Sequence, residues 1–372
     1  MKIKLNNGGL ILNLKKRNEK VKVAMIGAGF MGQVAHLDNF IKVSNCDVVA
    51  LAEPREKLRQ KICQKYHITN AFYSHKELLE SAEVDAVVII VPRNMVGNIA
   101  HDCLNANKHV FTEKPMAATF DEANDLVALA KERNLIYTIG YMRRHDLGVQ
   151  KAKELLDSYL QSQALGEITY VRAHCFDSNP YCNTDGYLVT DETVPTGLQC
   201  IAKSPAWLPA RYEKDYAFFL NAFCHNVNLL RYFFSRSANG IHYAQLDNQL
   251  ARLVLLDYGH FTVSLEAGRS ISRRRDEYYE IYFEKGMLRV DMPPNLLRNM
   301  PASVRVYEAD KEHVLSEYIC DWSWAFQRQA ESFISDVITR QESIASATDA
   351  LEDMRTIDDI WKLYLRLKKH KL

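Results

Sequence analysis

The feature that most constrains the fold is a glycine-rich turn between an apolar run and a helical pattern. Residues 21–26 (VKVAMI) have the length and apolarity of a buried strand, and GAGFMG follows directly at residues 27–32. A GxGxxG pattern alone is weak, but in a strand–turn–helix context it indicates a dinucleotide-binding turn, because glycine permits the tight turn and the approach of a pyrophosphate. The amides at the start of the helix would then face the phosphates. The expected contacts are Gly27, Ala28, Gly29, Phe30, Met31 and Gly32.

Apolar runs and helical patterns alternate over the rest of the first third of the chain. Further strands are predicted at residues 48–52, 84–91, 109–112 and 136–139. Helices are predicted at about residues 30–43, 54–66, 75–82, 95–107 and 119–133. Near-continuous apolar strands separated by helices indicate a parallel sheet covered on both faces. We therefore predict an N-terminal Rossmann domain with a doubly wound parallel sheet at residues 21–142.

The pattern changes after this domain. Helices are predicted at about residues 146–163, 216–234, 323–340 and 348–368. Strands are predicted at about residues 167–175, 240–246, 250–257, 260–267, 277–284, 287–292 and 303–308. Short turns between successive strands favour antiparallel pairing, so residues 143–372 are predicted to form an α/β domain with a large, mainly antiparallel open sheet for substrate binding and oligomerisation. Its C-terminal helix is a candidate to pack back on the first domain, and residues 1–20 read equally well as a β-hairpin extension or a frayed tail.

Composition excludes several classes of protein. The 372 residues suit two domains, and the net charge of +1 provides no field that favours nucleic acid. No stretch approaches the roughly 20 apolar residues of a membrane span, and the N-terminus does not resemble a signal peptide. The eight cysteines are scattered without metal-ligand spacing, which indicates a reducing, cytoplasmic location and no metal site. The basic run at residues 273–275 reads best as a solvated loop, with a phosphate contact as the alternative.

An acidic residue closes the second predicted strand, where a dinucleotide fold places its ribose ligand. Glu53 follows the run at residues 48–52. Its carboxylate can accept hydrogen bonds from the adenosine ribose and would repel a 2′-phosphate, so the expected cofactor is NAD. Arg55 lies two residues later and could hold a 2′-phosphate, which leaves NADP open. The alternative for Glu53 is an exposed acid at a helix start.

Polar residues also follow two other predicted strands. Glu113, Lys114 and Pro115 come directly after the strand at residues 109–112, and Pro92 ends the preceding one. Ligands of open α/β sheets bind at the carboxyl ends of the strands, so Pro92, Glu113 and Lys114 are expected to contact the cofactor. The Lys114 ammonium could also stabilise an alkoxide oxygen. Taken alone, it reads equally well as a surface lysine.

A histidine lies within a strongly apolar helix of the second domain. Asn221, His225 and Asn228 fall at i, i+4 and i+7, and therefore on one helical face. His225 could serve as a general base near neutral pH. On its own sequence context, a buried structural histidine is the better reading.

The chain resembles the Gfo/Idh/MocA family of oxidoreductases. The resemblance covers about residues 21–368 and rests on the segments AMIGAGFMG, ALAEPRE, KHVFTEKPMA, GYMRRHD, GEITYVRAH, NAFCHNVNLLRYF and YFEKGMLRV. It implies an active site between the two domains, with Lys114 and His225 in proton handling. It also implies substrate contact at Arg144, with Asn221 and Asn228 orienting hydroxyls, a cis bond before Pro115, and a homodimer or homotetramer formed through the C-terminal sheet.

The sequence departs from the family pattern at several positions. The family's helix motif usually has two aspartates where this chain has Asn221 and Asn228, and an amide cannot carry a proton. Either His225 is less basic than in relatives, or Lys114 is the principal base. Val96 stands where many members have histidine. The long stretch at residues 176–214, with Tyr181, Asp185 and Trp207, is expected to shape the substrate pocket.

Three functions follow from these observations. The leading one is an NAD(P)-dependent dehydrogenase or ketoreductase that transfers hydride between nicotinamide and a ring carbon of a cyclic polyol, sugar or sugar derivative. The second is an NAD-dependent glycosidase that recycles its cofactor. The third is a dinucleotide sensor without turnover, which only the substitutions to Asn221 and Asn228 support.

Overall fold

The computed structural model describes residues 20–177, 186–195, 203–247, 250–270, 275–309 and 312–369. The predicted hairpin at residues 1–20 therefore lies outside the described residues except for Lys20. Tyr181 and Asp185 of the long stretch, and Arg273 and Arg274 of the basic run, also lie outside them.

A parallel sheet of six strands forms the first domain. Its strands are β1 (Val21–Ile26), β2 (Cys46–Ala52), β3 (Asn70–Phe72), β4 (Ala86–Ile89), β5 (His109–Thr112) and β6 (Tyr137–Ile139), in the order β3-β2-β1-β4-β5-β6. Its helices are α1 (residues 30–40, π-helical over Gly32–Leu37), α2 (Glu56–Tyr66), α3 (His75–Ser81), α4 (Arg93–Asn105) and α5 (Phe120–Glu132). Every residue of the central strands β4 and β5 is buried, because helices cover both faces. Strands β2 and β3 are added on one side of β1, and β4, β5 and β6 are added on the other side. Ligands of open α/β sheets bind at the point where the strand order switches in this way, here between β1 and β4.

An eight-stranded sheet forms the second domain. Its strands are β7 (Ile168–Asp177), β8 (Gly240–Gln245), β9 (Ala251–Asp257), β10 (Thr262–Arg269), β11 (Asp276–Phe283), β12 (Gly286–Asp291), β13 (Ser303–Ala309) and β14 (His313–Tyr318), in the order β14-β13-β12-β11-β7-β10-β9-β8. All neighbours are antiparallel except the pair β7 and β10. The helices are α6 (Leu147–Ser162), α7 (Glu213–Phe234), α8 (Ala325–Thr339) and α9 (Ala347–Lys369). The predicted fold class is therefore confirmed.

Two strands are absent from the sequence-based prediction. Both β3 and β14 lie at sheet edges, and neither contains a buried residue. An edge strand with two partly exposed faces lacks the apolar pattern that marks a buried strand, so these segments carried no recognisable signature.

The last two helices link the domains. Helix α8 buries Phe333 and Ile334 in the cluster that contains Phe40 and Phe111 of the first domain. Helix α9 packs on α5, on α7 and on β8. The chain therefore returns to the first domain after completing the second sheet.

None of the helices in the described part of the chain combines the length and apolar character that a membrane span requires. Within the described ranges, no group of three or more His, Cys, Asp or Glu side chains is assembled that could hold a metal ion.

Candidate active site

The glycine turn lies between β1 and α1 at the carboxyl edge of the first sheet. Gly27 has φ of +90°, and a Cβ added there would lie 2.3 Å from the carbonyl oxygen of Ile90 on the neighbouring strand. Only glycine meets both demands. A Cβ added at Gly29 would have no heavy atom of the described residues within 4 Å, apart from its neighbours in the chain. This open approach beside the free amides of a helix start fits a dinucleotide pyrophosphate.

Glu53 is held against the same turn. Its buried carboxylate accepts hydrogen bonds from the Ala28 amide at 2.9 Å, from Arg55 Nε at 2.7 Å and from Arg55 Nη2 at 2.9 Å. The carboxylate therefore lies where an adenosine ribose would follow the pyrophosphate, and a ribose hydroxyl could replace one of the bonds from Arg55. An acceptor carboxylate at this point fits the ribose of a dinucleotide, and the contacts of Glu53 and Arg55 with the cofactor stay predictions.

Lys114 follows β5 at the same edge, next to Glu113. The Lys114–Pro115 bond is cis, as the resemblance implies. Lys114 Nζ donates to the carbonyl oxygen of Asn221 at 2.9 Å, so the end of β5 touches helix α7 of the second domain. The Asn221 side chain is exposed beside this contact. The structure thus brings the lysine to the helix that carries the histidine.

Glu113 is tied to helix α1. Its Oε1 is hydrogen-bonded to His36 Nε2 at 2.8 Å, and its Oε2 accepts from the Lys114 amide at 3.0 Å. Burial alone would raise the pKa of Glu113, but the hydrogen bond and charge of His36 and the charge of Lys114 lower it. An ionised Glu113 therefore links the loop that bears Lys114 to the helix that follows the glycine turn.

His225 lies on the inner face of α7 with 9% of its surface exposed. Its Nδ1 atom is buried and has no hydrogen-bond partner in the described part of the chain. The Tyr141 ring packs edge-on against the imidazole, with centroids 5.8 Å apart. Burial, followed by the charges of Lys114, Arg143 and Arg275, lowers the pKa of His225 well below 6.5. The imidazole is therefore neutral near pH 7, and its Nδ1 atom is unpaired among the described residues.

Arg143, Arg275 and Glu277 form a buried ion cluster close to His225. Arg143 Nη2 lies 2.8 Å from Glu277 Oε2, and Arg275 Nε lies 2.7 Å from the same oxygen. Burial would raise the pKa of Glu277, but the two guanidinium groups lower it. Sequence reasoning missed this cluster, because its members come from the turn after β6 and from the start of β11 with the residue before it, which no local pattern connects.

Arg144 and Asn228 are joined in a buried network, and their contact with substrate stays a prediction. Arg144 Nε donates to Asn228 Oδ1 at 2.8 Å, and Arg144 Nη2 lies 2.6 Å from Asp349 Oδ2. Asn228 Nδ2 donates to Asp353 at 2.7 Å, and burial raises the pKa of Asp353 to about 6. Both side chains are thus committed to a buried network between α7 and α9. Of the two adjacent arginines, Arg143 is the one close enough to His225 to affect its pKa.

The turn after β4 completes the edge of the cleft. Pro92 precedes helix α4, and the first residue of that helix, Arg93, donates to the carbonyl oxygen of Ala217 on α7. Val96 is buried, which suits an apolar residue at this position. The cofactor contact of Pro92 stays a prediction.

Sequence reasoning also missed Gln33 and His36 on helix α1. Both are polar yet buried, and both lie within two turns of the glycine turn. A polar residue on the buried face of a helix that begins at a ligand-binding turn is the feature that could have identified them.

Comparison with known proteins agrees with this architecture. Residues 21–141 match the GFO_IDH_MocA model, described as an oxidoreductase family with an NAD-binding Rossmann fold. An inositol 2-dehydrogenase/D-chiro-inositol 3-dehydrogenase of Lacticaseibacillus casei is 30% identical over 178 residues, which are 47% of this chain and 50% of that protein. A myo-inositol 2-dehydrogenase of Thermotoga maritima is 25% identical over 178 residues, 47% of this chain and 52% of that protein. The chain thus spans about half the length of the curated relatives it matches.

A solved structure extends the similarity in fold to almost the whole chain. A 3-ketoreductase from Actinomadura kijaniata, in complex with NADP and TDP-benzene, superposes with a TM-score of 0.70 at 19% identity and covers 91% of this chain and 96% of that one. The likeness at this identity concerns the fold. Over residues 21–141 the chain is therefore similar to the Gfo/Idh/MocA oxidoreductase family, whose model matches this segment.

Proposed function

We propose that the protein is an NAD-dependent oxidoreductase that transfers hydride between the nicotinamide and a ring carbon of a cyclic polyol, sugar or sugar derivative. The observation that carries the proposal is the contact between Lys114 Nζ and helix α7, one turn before His225. It supports an active site in which an ammonium from one domain and a neutral imidazole from the other act together at the edge where the glycine turn opens. Relatives named as inositol dehydrogenases and a 3-ketoreductase support the substrate class.

Lys114 is assigned to the oxygen of the reacting carbon. When bound, the nicotinamide supplies the hydride acceptor or donor. The Lys114 ammonium donates a hydrogen bond to the substrate oxygen and stabilises the negative charge that grows there. Glu113, held by His36, fixes the loop that carries this lysine.

His225 is assigned to the exchange of the hydroxyl proton. The imidazole is neutral, and its buried Nδ1 atom has no partner within the described residues. Its lowered pKa makes it a weak base. This supports the alternative in which Lys114 is the principal proton-handling group and His225 assists. The exposed Asn221 amide is free to orient a further hydroxyl of the substrate.

The test is accumulation of NADH. Purified protein is mixed with NAD and, one at a time, with inositols, hexoses, amino sugars and nucleotide sugars, and near-ultraviolet absorbance is followed. Lys114→Ala is compared with Lys42→Ala, a matched change at an exposed lysine of the first domain. A lasting rise with one compound, kept in Lys42→Ala and lost in Lys114→Ala, is the expected result.

Two results would contradict the proposal. Release of an aglycone without lasting NADH would indicate the recycling glycosidase. Tight binding of NADH without hydride exchange for any compound would indicate a dinucleotide sensor.

We also propose a homodimer or homotetramer that pairs the open faces of the second sheet. That face carries a ladder of ion pairs, including Arg172 with Glu266 at 2.7 Å and Arg305 with Asp291 at 2.7 Å. A large uncovered sheet face is usually buried by association. Sedimentation velocity tests this, and a monomer at micromolar concentration would refute it.

A further inference from the structure

Part of the second domain lies across the cofactor half of the first. The crossing segment (residues 186–192) begins where Lys65 Nζ, on α2, donates to the Gly186 carbonyl oxygen at 2.7 Å. The Leu188 amide donates to Gln33 Oε1 at 2.7 Å, and Gln33 Nε2 donates back to the Leu188 carbonyl oxygen at 3.0 Å. Gln33 Nε2 also donates to the Ala28 carbonyl oxygen at 2.9 Å, so the Gln33 side chain links the segment to the glycine turn.

An aromatic contact reinforces this attachment. The rings of Tyr187 and Phe30 meet edge to face with centroids 5.1 Å apart. Phe30 is the first residue of α1, immediately after Gly29. The crossing segment therefore contacts the first turn of α1 as well as helix α2.

The crossing segment ends with a carboxylate on the start of α2. Glu192 Oε1 accepts from the Lys57 amide at 3.1 Å, and Glu192 Oε2 accepts from the Leu58 amide at 3.1 Å and from Thr190 Oγ1 at 2.9 Å. First-turn amides have no partner inside their own helix, and they carry its partial positive charge. Glu192 thus occupies two of the donors that α2 directs to the carboxyl edge of the sheet.

These donors lie next to Glu53 and Arg55, at the position that the proposed function gives to the adenosine ribose. A 2′-phosphate on that ribose would need positive charge and free donors nearby. Arg55 is already paired with both oxygens of Glu53. The Lys57 and Leu58 amides are taken by Glu192. A phosphate here would therefore meet two carboxylates and no free donor among these groups.

We propose that Glu192 is a specificity residue that excludes the 2′-phosphate of NADP and so selects NAD. This inference rests on the proposed function, since it needs the dinucleotide to bind at the glycine turn. The choice between NAD and NADP is usually marked by the acid at the end of β2, here Glu53. Glu192 would be a second determinant of this choice, and it comes from the second domain, about 140 residues later in the chain.

The experiment measures the dissociation constants of NADH and NADPH by fluorescence titration at low ionic strength. Glu192→Gln keeps the size of the side chain and removes its charge. We expect NADPH to bind at least about tenfold more tightly to Glu192→Gln than to the wild type, which is about 1.4 kcal/mol, with less than a threefold change for NADH. Glu192→Ala, which also frees both amides, should show an NADPH gain at least as large.

Asp191→Asn is the matched control. It removes the same charge from the neighbouring residue, whose side chain is 85% exposed and only 3.7 Å from Lys57 Nζ. Its ratio of NADH to NADPH affinity should stay close to that of the wild type. An equal gain of NADPH affinity in Asp191→Asn would show a general charge effect and overturn the role of Glu192.

Other outcomes separate this inference from the proposed function. Unchanged NADPH affinity in both Glu192 variants, or a wild type that prefers NADPH, would overturn the inference and leave the oxidoreductase proposal intact. A wild type that binds neither nucleotide would overturn the proposed function itself.

Discussion

Replacing Gly29 by alanine should separate folding of this protein from dinucleotide binding. Among the described residues, a Cβ at this position meets no heavy atom within 4 Å beyond its chain neighbours, and the backbone φ lies outside the left-handed region that favours glycine. The folded chain can therefore accept alanine without a clash. The open space beside Gly29 is also where the pyrophosphate is proposed to approach the backbone, so the added methyl group should obstruct the ligand.

The expected magnitudes follow from this geometry. Gly→Ala at a compatible backbone position stabilises a protein by about 0.4–1 kcal/mol, through the entropy of the unfolded chain, so the free energy of unfolding should be unchanged or slightly raised. Gly27→Ala provides the contrast. Its left-handed φ costs about 1–2 kcal/mol for an L-residue, and its Cβ would lie 2.3 Å from the Ile90 carbonyl oxygen. That variant should be destabilised by more than about 2 kcal/mol.

Urea unfolding and NADH titration provide the two readouts. We expect Gly29→Ala to unfold like the wild type and to bind NADH at least about tenfold more weakly, a loss of about 1.4 kcal/mol. Gly240→Ala is the control, since the added Cβ would meet, among the described residues beyond its chain neighbours, only Asp257 Oδ2 at 4.0 Å on the second sheet. It should change neither property. A Gly29→Ala variant that binds NADH within twofold of the wild type would refute the placement of the pyrophosphate.

Three further predictions concern buried side chains. Trp361 is fully buried, and its Nε1 has no partner among the described atoms. Trp361→Phe should therefore lower the free energy of unfolding by about 1–2 kcal/mol, and Trp361→Ala should lower it by about 3–5 kcal/mol. Equal losses for the two variants in urea unfolding would contradict this. Glu277→Gln should cost about 3–5 kcal/mol at pH 7, because it leaves Arg143 and Arg275 buried without their counter-charge. The pKa of Glu277 is lowered in the folded protein. The difference in free energy of unfolding between the wild type and this variant should therefore be full above the unfolded-state pKa of about 4.3, and it should shrink as the pH falls through the lower pKa of the folded state. A difference in free energy of unfolding that does not shrink between pH 7 and 3.5 would contradict this. His225 should stay neutral from pH 8 to pH 6 in an NMR titration, because burial and nearby cations lower its pKa; an imidazole that titrates near 6.5 would refute the argument.

The sequence was a good guide to elements whose cause is local. The strand–turn–helix at residues 21–40 could be predicted, because the apolar period and the glycine spacing lie within one segment. The same holds for helix α7 and for the strands of the second sheet that alternate buried and exposed residues. The edge strands β3 and β14 were missed because solvent exposure removes that alternation.

Site assignments were less secure where they depended on which way a side chain points. Adjacent arginines 143 and 144 look alike in the sequence, yet one joins Glu277 and the other joins Asn228 and Asp349. Neighbouring residues in a tight turn point in different directions, and the partners that choose between them lie more than 80 residues away.

The sequence by itself determined the dinucleotide turn, the two sheet types and the presence of an acid at residue 53, because each depends on neighbours in the chain. Only the tertiary structure decided that Lys114 meets the helix of His225, that the charge of Arg143 acts on that histidine, and that Glu192 reaches the start of α2. These segments lie far apart in the sequence. The energies of their contacts depend on distance, burial and charge after folding, which no local pattern records.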